Sequence, residues 1–139
     1  MNHPVVLIDT EPIVAYYNAG DAHHDRARQF LDDSTSVLIT TIGCVTEVMW
    51  LLRSRWQVQN EFLSDLSIGL YECEPLTPND FTRIAELNAQ YADLPGDFAD
   101  LSLIVISERL NIATIATLDE DFDIYRRYRR HPFERIFRP

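Results

Sequence analysis

Acidic residues stand at both ends of one apolar segment of this sequence, residues 101–117. Asp97 and Asp100 precede the segment, and a second acidic group follows it: Asp119, Glu120, Asp121 and Asp123. Carboxylates held together repel one another, by about 1–4 kcal/mol for each pair at about 4 Å. A divalent cation offsets that repulsion. The pattern therefore indicates a metal site, provided that the fold brings these acids together.

A further aspartate, Asp9, directly follows the apolar run at residues 5–8. Ligands of α/β proteins bind at the carboxyl ends of parallel strands, which favours a chemical role for this side chain. The alternative is structural, because Asp9 can also cap a helix that begins near Pro12. The local sequence does not decide between the two roles.

Glu47 lies among apolar residues in a helix predicted over residues 41–53. An isolated charge is costly to bury, so this carboxylate must reach solvent, pair with a base or bind a cation. The local pattern slightly favours a surface glutamate paired with Arg53 or Arg55. Its part in a site therefore depends on where the fold places the helix.

The elements that must position these acids alternate between strand and helix. Short apolar runs predict strands at residues 5–9, 37–40, 71–74 and 112–117, with a short helix at 124–128 and a last strand at 136–137. Residues with helical spacing lie between the strands, and Thr77-Pro78 is a strong helix-start signal. This order predicts an α/β fold, a three-layer α/β/α sandwich around a mainly parallel sheet. The acids can meet at the carboxyl edge of that sheet.

The composition is that of one acidic globular domain, residues 1–139. Its 22 acidic against 12 basic residues give a net charge of −10, which counts against non-specific binding to nucleic acid. The isolated Cys44 and Cys73 form no disulfide framework and indicate reduced thiols in a cytoplasmic protein. No apolar run approaches the length of a membrane span, so no membrane partner is expected.

Basic residues concentrate near the C-terminus of this acidic chain. The cluster comprises Arg126, Arg127, Arg129, Arg130, Arg135 and Arg138. Arginines position the backbone of a nucleic acid by binding its phosphates, so the first four are candidate RNA contacts. Ion pairs with the acids at residues 119–123 or with Glu134 explain the cluster equally well.

Two consecutive predicted helices, at residues 41–53 and 57–68, carry more apolar surface than a small sheet can easily cover. Trp50 and Trp56 flank the junction between them. We expect part of this surface to form a protein–protein interface, such as that of a homodimer. Ordinary core packing is an equally good explanation.

Four segments in this order resemble the PIN domain, and most closely the VapC-type toxins of bacterial toxin–antitoxin systems. They are Val6-Leu-Ile-Asp9-Thr10, Thr46-Glu47, Asp97-Phe-Ala-Asp100-Leu-Ser-Leu-Ile and Ala116-Thr117-Leu-Asp119-Glu-Asp121-Phe122. Each segment alone is weak evidence, whereas the four in this order and spacing are fairly specific. The resemblance extends over essentially the whole chain.

The resemblance implies an endoribonuclease that depends on Mg²⁺ or Mn²⁺ and is neutralised by a small antitoxin protein. By position, the four catalytic and metal-binding acids are Asp9, Glu47, Asp100 and Asp119, with Asp97 and Asp121 as possible extra ligands. Which of Asp97 and Asp100 touches the metal stays open. The hydroxyls of Thr10 and Thr117 are expected to support the ligands. Oxygen ligands suit Mg²⁺ or Mn²⁺, and the absence of a Cys/His cluster argues against zinc.

Two other functions fit parts of the sequence. A catalytically silent PIN-like protein can keep the acids as a cation or partner site. A phosphatase-like or receiver-like α/β domain can use Asp9 as its phosphoryl acceptor. A receiver domain, however, needs a lysine near the end of a late strand, and this chain contains no lysine.

Overall fold

Strands and helices alternate along the chain, which the computed structural model describes at residues 3–94 and 96–137. The strands are β1 (Val5–Ile8), β2 (Val37–Thr41), β3 (Glu72–Glu74), β4 (Thr114–Ala116), β5 (Arg126–Arg127), β6 (His131–Pro132) and β7 (Glu134–Ile136). The α-helices are α1 (Thr10–Tyr17), α2 (His24–Asp33), α3 (Ile42–Leu51), α4 (Trp56–Ser67), α5 (Pro78–Gln90) and α6 (Phe98–Arg109). The predicted domain ends at residues 1 and 139, and Arg138 of the arginine cluster, lie outside the described residues.

The central sheet has five parallel strands in the order β3-β2-β1-β4-β7. Strand β1 lies in the middle of the sheet. Its Leu7 is in register with Ile39 of β2 on one side and with Ile115 of β4 on the other. A continuous apolar strand suits this position, because both of its faces are covered. The predicted three-layer α/β/α sandwich with a parallel sheet is confirmed.

The helices cover both faces of the sheet. One core contains residues of α1, α2, α3 and α4, and the other contains residues of α5 and α6. Helix α6 is buried without interruption from Ala99 to Ser107, as its apolar sequence predicted. In the described part of the chain, no helix combines the length and the apolar composition that a membrane span requires.

Side-chain caps fix where the helices near the site begin. Asp9, Thr41 and Asp97 are the N-cap residues of α1, α3 and α6, and each accepts a hydrogen bond from a backbone N–H of the first turn. The Thr41 hydroxyl also lies 2.7 Å from the Ser102 hydroxyl, which ties the start of α3 to α6. The predicted helix start at Thr77-Pro78 is confirmed by a complete capping box with Asp80.

The C-terminal segment differs from its prediction. Instead of a helix at 124–128, a 3₁₀-helix occupies Glu120–Asp123 and is followed by the antiparallel pair β5 and β6. Tyr128 and Arg129 have φ angles of 52° and 69°, and this left-handed backbone reverses the chain where a helix would continue. The predicted last strand does form, as β7, although it spans Glu134–Ile136.

Candidate active site

Asp9 lies at the carboxyl end of β1, in the middle of the sheet, and is 4% exposed. Its Oδ1 accepts a 2.8 Å hydrogen bond from the Thr10 backbone N–H. Its Oδ2 accepts a 2.8 Å hydrogen bond from the Thr117 hydroxyl, just past the end of the neighbouring strand β4. The carboxylate therefore caps α1 and is also held at the sheet edge by the side chain that follows β4.

Asp97 and Asp100 occupy different places at the start of α6. Asp97 is exposed, and its Oδ1 accepts a 2.8 Å hydrogen bond from the Asp100 backbone N–H. Asp100 is buried, and its Oδ2 accepts a 3.2 Å hydrogen bond from the Tyr125 hydroxyl. The cap at Asp97 thus orients the first turn of α6 so that the side chain of Asp100 reaches the sheet edge.

Asp119 joins the same place from the loop after β4. The Asp119 backbone N–H donates to the Thr117 hydroxyl at 3.0 Å, and Asp119 Oδ1 accepts from the Asp121 backbone N–H at 2.9 Å. Asp9, Asp100 and Asp119 each offer one carboxylate oxygen, and these three atoms lie within 4.8 Å of one another. We call these residues the aspartate trio. Asp121 supports the trio through its backbone, while its own carboxylate does not belong to it.

Burial and mutual repulsion raise the pKa values in the trio. Burial is the main cause for Asp9, whose pKa rises to about 7 although hydrogen bonds from Thr10 and Thr117 oppose the change. Burial, followed by the charges of Asp9, Asp97 and Asp119, raises the pKa of Asp100 to about 9. No arginine of the described residues forms an ion pair with the trio. The site therefore concentrates negative charge and has no basic side chain of its own to neutralise it.

Glu47 lies at the rim of the site, on α3, and is not part of the trio. It lines the same groove as Asp97. Burial raises its pKa to about 7, and the charges of Asp97 and Asp9 contribute further. Glu47 and Asp97 thus form a second, outer pair of acids beside the trio. The structure gives Glu47 no ion pair with Arg53 or Arg55.

Thr10 and Cys44 lie close to Asp9, but neither the Thr10 hydroxyl nor a Cys44 thiolate takes part in the site. Thr10 acts through its backbone N–H, whereas its buried hydroxyl has no hydrogen-bond partner among the described residues. Burial, followed by the charge of Asp9, raises the pKa of the Cys44 thiol to about 12. This thiol is therefore neutral at physiological pH and is not a thiolate ligand for zinc.

The C-terminal arginines mostly bind other parts of the protein. Arg127 is buried and donates to the Asn111 side chain at 2.9 Å, so its burial does not fit the predicted RNA contact. The Arg126 side chain donates to three backbone carbonyls at residues 123–125. Arg129 pairs with Glu86 on α5. Of the four predicted contacts, Arg130 alone is exposed with no side-chain partner in the described chain.

Tyr125 is the part of the site that sequence reasoning missed. Its segment was predicted as a short helix with no part in the site, but the side chain is fully buried and its hydroxyl donates to Asp100. Gly96 provides the necessary space, since a Cβ atom there would clash with the Tyr125 hydroxyl. The pairing of Gly96 with a tyrosine almost thirty residues later leaves no local sequence signal.

Comparison with known proteins identifies the family. The PIN domain profile matches residues 6–128. The chain belongs to the PIN domain family. Ribonuclease VapC26 of Mycobacterium tuberculosis is 28% identical to it over 116 residues, which cover 82% of this chain and 86% of the relative. The predicted resemblance to PIN domains is confirmed.

Two solved structures share the PIN fold of this chain. VapC20 of Mycobacterium tuberculosis, described as a sarcin–ricin loop-cleaving toxin, superimposes with a TM-score of 0.78 at 21% identity, over 86% of this chain and 93% of its own. VapBC2 of Rickettsia felis, described as bound to a DNA fragment from its promoter, gives a TM-score of 0.65 at 16% identity. That match covers 95% of this chain and 98% of the other.

Proposed function

We propose that this PIN-family protein is a metal-dependent endoribonuclease that hydrolyses phosphodiester bonds in RNA, and that it is the toxin of a toxin–antitoxin pair. The observation that carries the proposal is the aspartate trio, whose three oxygen atoms lie within 4.8 Å of one another without a basic partner in the described chain. The relatives support the substrate class, because VapC26 is named a ribonuclease and VapC20 is described as a toxin that cleaves the sarcin–ricin loop.

The residues present fit a hard divalent cation, Mg²⁺ or Mn²⁺. The trio supplies carboxylate oxygens alone, which these ions prefer, and the neighbouring thiol of Cys44 stays protonated. The raised pKa values of Asp9 and Asp100 show that the ionised trio is costly by itself. A divalent cation held by these carboxylates would offset this cost.

Asp9, Asp100 and Asp119 are the proposed ligands, with Asp97 and Asp121 as neighbours. A bound divalent cation supplies Lewis-acid activation of water and neutralises charge on a phosphate. The chain's own contribution is to hold the carboxylates in place: Thr117 donates to Asp9, and Tyr125 donates to Asp100. Thr117 follows β4 and Tyr125 precedes β5, so the site depends on how the fold brings these two segments to Asp9 and Asp100.

Glu47 is the proposed proton acceptor for the attacking water. A general base works best when its pKa lies near the working pH, and the pKa of Glu47 is raised to about 7. Its place at the rim, beside Asp97, leaves it accessible from the groove between α3 and α6. Burial is the main cause of this raised pKa, and repulsion from the charge of Asp97 adds to it.

The partners and the location follow from the same proposal. We take residues 1–139 as one PIN-like domain, which acts in the cytoplasm and is neutralised by a small antitoxin. The VapBC2 assembly supports such a partner by analogy. The exposed apolar side chains of α4 support a homodimer, because Trp56 and Leu63 are 65% and 40% exposed. The free thiols of Cys44 and Cys73 agree with a reducing compartment.

Cleavage of a mixed RNA pool by the purified protein tests the proposal. We expect cleavage with Mg²⁺ or Mn²⁺, none with EDTA, and a loss of at least about a hundredfold in Asp9→Asn. The matched control is Asp33→Asn, which removes one exposed carboxylate at the end of α2 that is not part of the trio. Cleavage that persists in EDTA or in Asp9→Asn would contradict the proposal. A small protein encoded beside this one that abolishes cleavage would support the toxin assignment.

A further inference from the structure

A solvent-open groove with apolar walls lies directly beside the acidic site. It has a volume of about 380 Å³ and runs between α3 and the start of α6. Ile42, Thr46 and Trp50 line it from α3 at four-residue spacing, and Phe98 and Ala99 line it from α6. Glu47 and Asp97 line it as well, so the groove is continuous with the outer pair of acids.

Two aromatic side chains that line this groove are exposed to solvent. Trp50 is 62% exposed and Phe98 is 44% exposed. The Phe98 ring also stacks on Phe81 of α5, with an angle of 18° between the rings and 6.3 Å between their centroids. Gly43 allows this arrangement, since a Cβ atom there would lie 3.1 Å from the Phe98 ring. The groove therefore carries exposed aromatic surface beside the acidic site.

Arg53 adds a positive charge to the same surface. Its guanidinium carbon lies 3.8 Å above the centroid of the Trp50 ring, and its Nη1 donates to the Trp50 carbonyl oxygen. Within the described chain it has no carboxylate partner, in contrast to Arg83 and Arg109, which pair with acids. An exposed arginine held over an indole keeps further N–H groups that can donate to a phosphate.

We propose that this groove binds unpaired bases of the RNA substrate, which stack on Trp50 and Phe98 while Arg53 holds a backbone phosphate. The inference rests on the proposed function and assigns the residues that hold its substrate outside the aspartate trio. Aromatic side chains bind single strands in this way because every base has a flat face to stack. A chain with a net charge of −10 gains little long-range attraction for RNA, so short-range stacking is the contribution that remains.

The neighbouring acids favour RNA over an apolar protein segment in this groove. A peptide packed on Phe98 and Trp50 would remove Glu47 and Asp97 from water without providing a positive partner, which is costly. An RNA strand instead places a phosphate within reach of the trio, and a divalent cation held by Asp9, Asp100 and Asp119 would neutralise part of its charge.

Oligonucleotide binding to the cleavage-deficient Asp9→Asn protein tests the inference. Two RNAs are compared: a short single strand, and the same strand with its central bases removed to leave abasic sites. We expect the abasic strand to bind at least about tenfold more weakly, about 1.4 kcal/mol. Adding Trp50→Ala or Phe98→Ala should reduce this difference to less than about threefold. Leu110→Ala is the control, an exposed apolar residue at the opposite end of α6 from the groove, and should leave the difference unchanged.

Arg53→Gln gives an independent measurement. It should weaken both oligonucleotides equally and lower the slope of log affinity against log salt by about 0.7, as expected for one lost phosphate contact on a single strand. In cleavage assays with otherwise wild-type protein, Trp50→Ala should raise KM and leave kcat nearly unchanged.

Three results would overturn the inference. The Asp9→Asn protein could bind the intact and the abasic RNA equally, or bind neither of them. The added Trp50→Ala change could leave the preference for the intact strand at its full size. A Trp50→Ala protein that instead changes its mass in sedimentation, with discrimination intact, would identify the groove as a protein contact. Failure of the proposed function is seen separately, as absence of metal-dependent cleavage by the wild-type protein. If wild-type cleavage is normal and the groove variants keep their KM, the inference fails and the proposed function stands.

Discussion

The Thr117 hydroxyl donates a 2.8 Å hydrogen bond to Oδ2 of Asp9, although 108 positions separate the two residues in the chain. The contact arises because β1 and β4 are adjacent parallel strands, with Ile8 in register with Ala116. Each strand ends one residue before the side chain that makes the bond. The same hydroxyl accepts the Asp119 backbone N–H, so one threonine connects two members of the trio.

Replacing Thr117 with valine should impair the site more than the fold. Valine keeps the shape of the side chain but removes the donor to Asp9 and the acceptor for the Asp119 N–H. We expect cation affinity or cleavage rate to fall by about 10–100-fold, and the free energy of unfolding by about 1 kcal/mol. Thr117→Ser, which keeps the hydroxyl, is the control. Equal activity of the valine and serine variants would show that the hydroxyl has no part in the site.

Tyr125→Phe should shift the pH dependence of the site. The phenol hydroxyl donates to Asp100 and thereby lowers the pKa of that carboxyl, although burial raises it overall. Without this donor the pKa of Asp100 rises further, and the carboxylate needs a higher pH to ionise and bind a cation. The midpoint of a pH–cleavage profile should therefore move upward. A midpoint that stays in place or moves down would be evidence against the bond's electrostatic role.

The trio should make the cation-free protein less stable as pH rises. The pKa of Asp9 is raised from 3.8 to about 7 and that of Asp100 to about 9, so the folded state holds these protons more tightly than the unfolded chain does. Their stabilising contribution is complete below about pH 4, and it is lost as pH rises through 7 to 9. In EDTA, the free energy of unfolding from urea titrations should fall between pH 5 and pH 8.

Two controls connect this fall to the trio. Mg²⁺ or Mn²⁺ should restore stability at pH 8, because a cation that binds the folded state alone stabilises it by mass action. Asp9→Asn should flatten the fall, since it removes one of the titrating groups while its amide oxygen can still cap α1. A profile in EDTA that is flat or rises from pH 5 to pH 8 would contradict the assigned pKa shifts.

Replacement with alanine should lower the free energy of unfolding much more at Arg127 than at Arg130. Arg127 is buried against Asn111 and Tyr128, so its truncation leaves a cavity and should lower the free energy of unfolding by about 1–3 kcal/mol. Arg130 is exposed, and its truncation should change stability by less than about 0.5 kcal/mol. Neither should change the KM for RNA at temperatures where the protein is folded. A large rise in KM for Arg130→Ala would show that the C-terminal arginines do bind RNA.

The sequence predicted the scaffold well because short-range patterns determine it. A continuous apolar run predicts a covered central strand, as in β1, and Thr77-Pro78 with Asp80 satisfies a helix start within four residues. The position of Asp9 at the end of that strand follows from the same run. These features depend on neighbours along the chain, which the sequence shows directly.

The details of the site depend on contacts between distant segments, which no local pattern shows. The difference between Asp97 and Asp100 is one of orientation: one caps α6 in solvent and the other turns inward to Tyr125. The arginine cluster was equally ambiguous, because composition does not reveal that Arg127 lies buried and that Arg135 pairs with Asp123. The helix predicted at 124–128 failed because the buried Tyr125 and a left-handed turn override helical spacing.

Direct measurement of Mn²⁺ binding by electron paramagnetic resonance tests the central claim, that Asp9, Asp100 and Asp119 together hold a divalent cation. We expect the wild-type protein to bind Mn²⁺ at pH 8, and each of Asp9→Asn, Asp100→Asn and Asp119→Asn to bind it at least about tenfold more weakly. Asp33→Asn should bind as the wild type does. Binding that survives in all three trio variants, or that is lost equally in Asp33→Asn, would contradict the account.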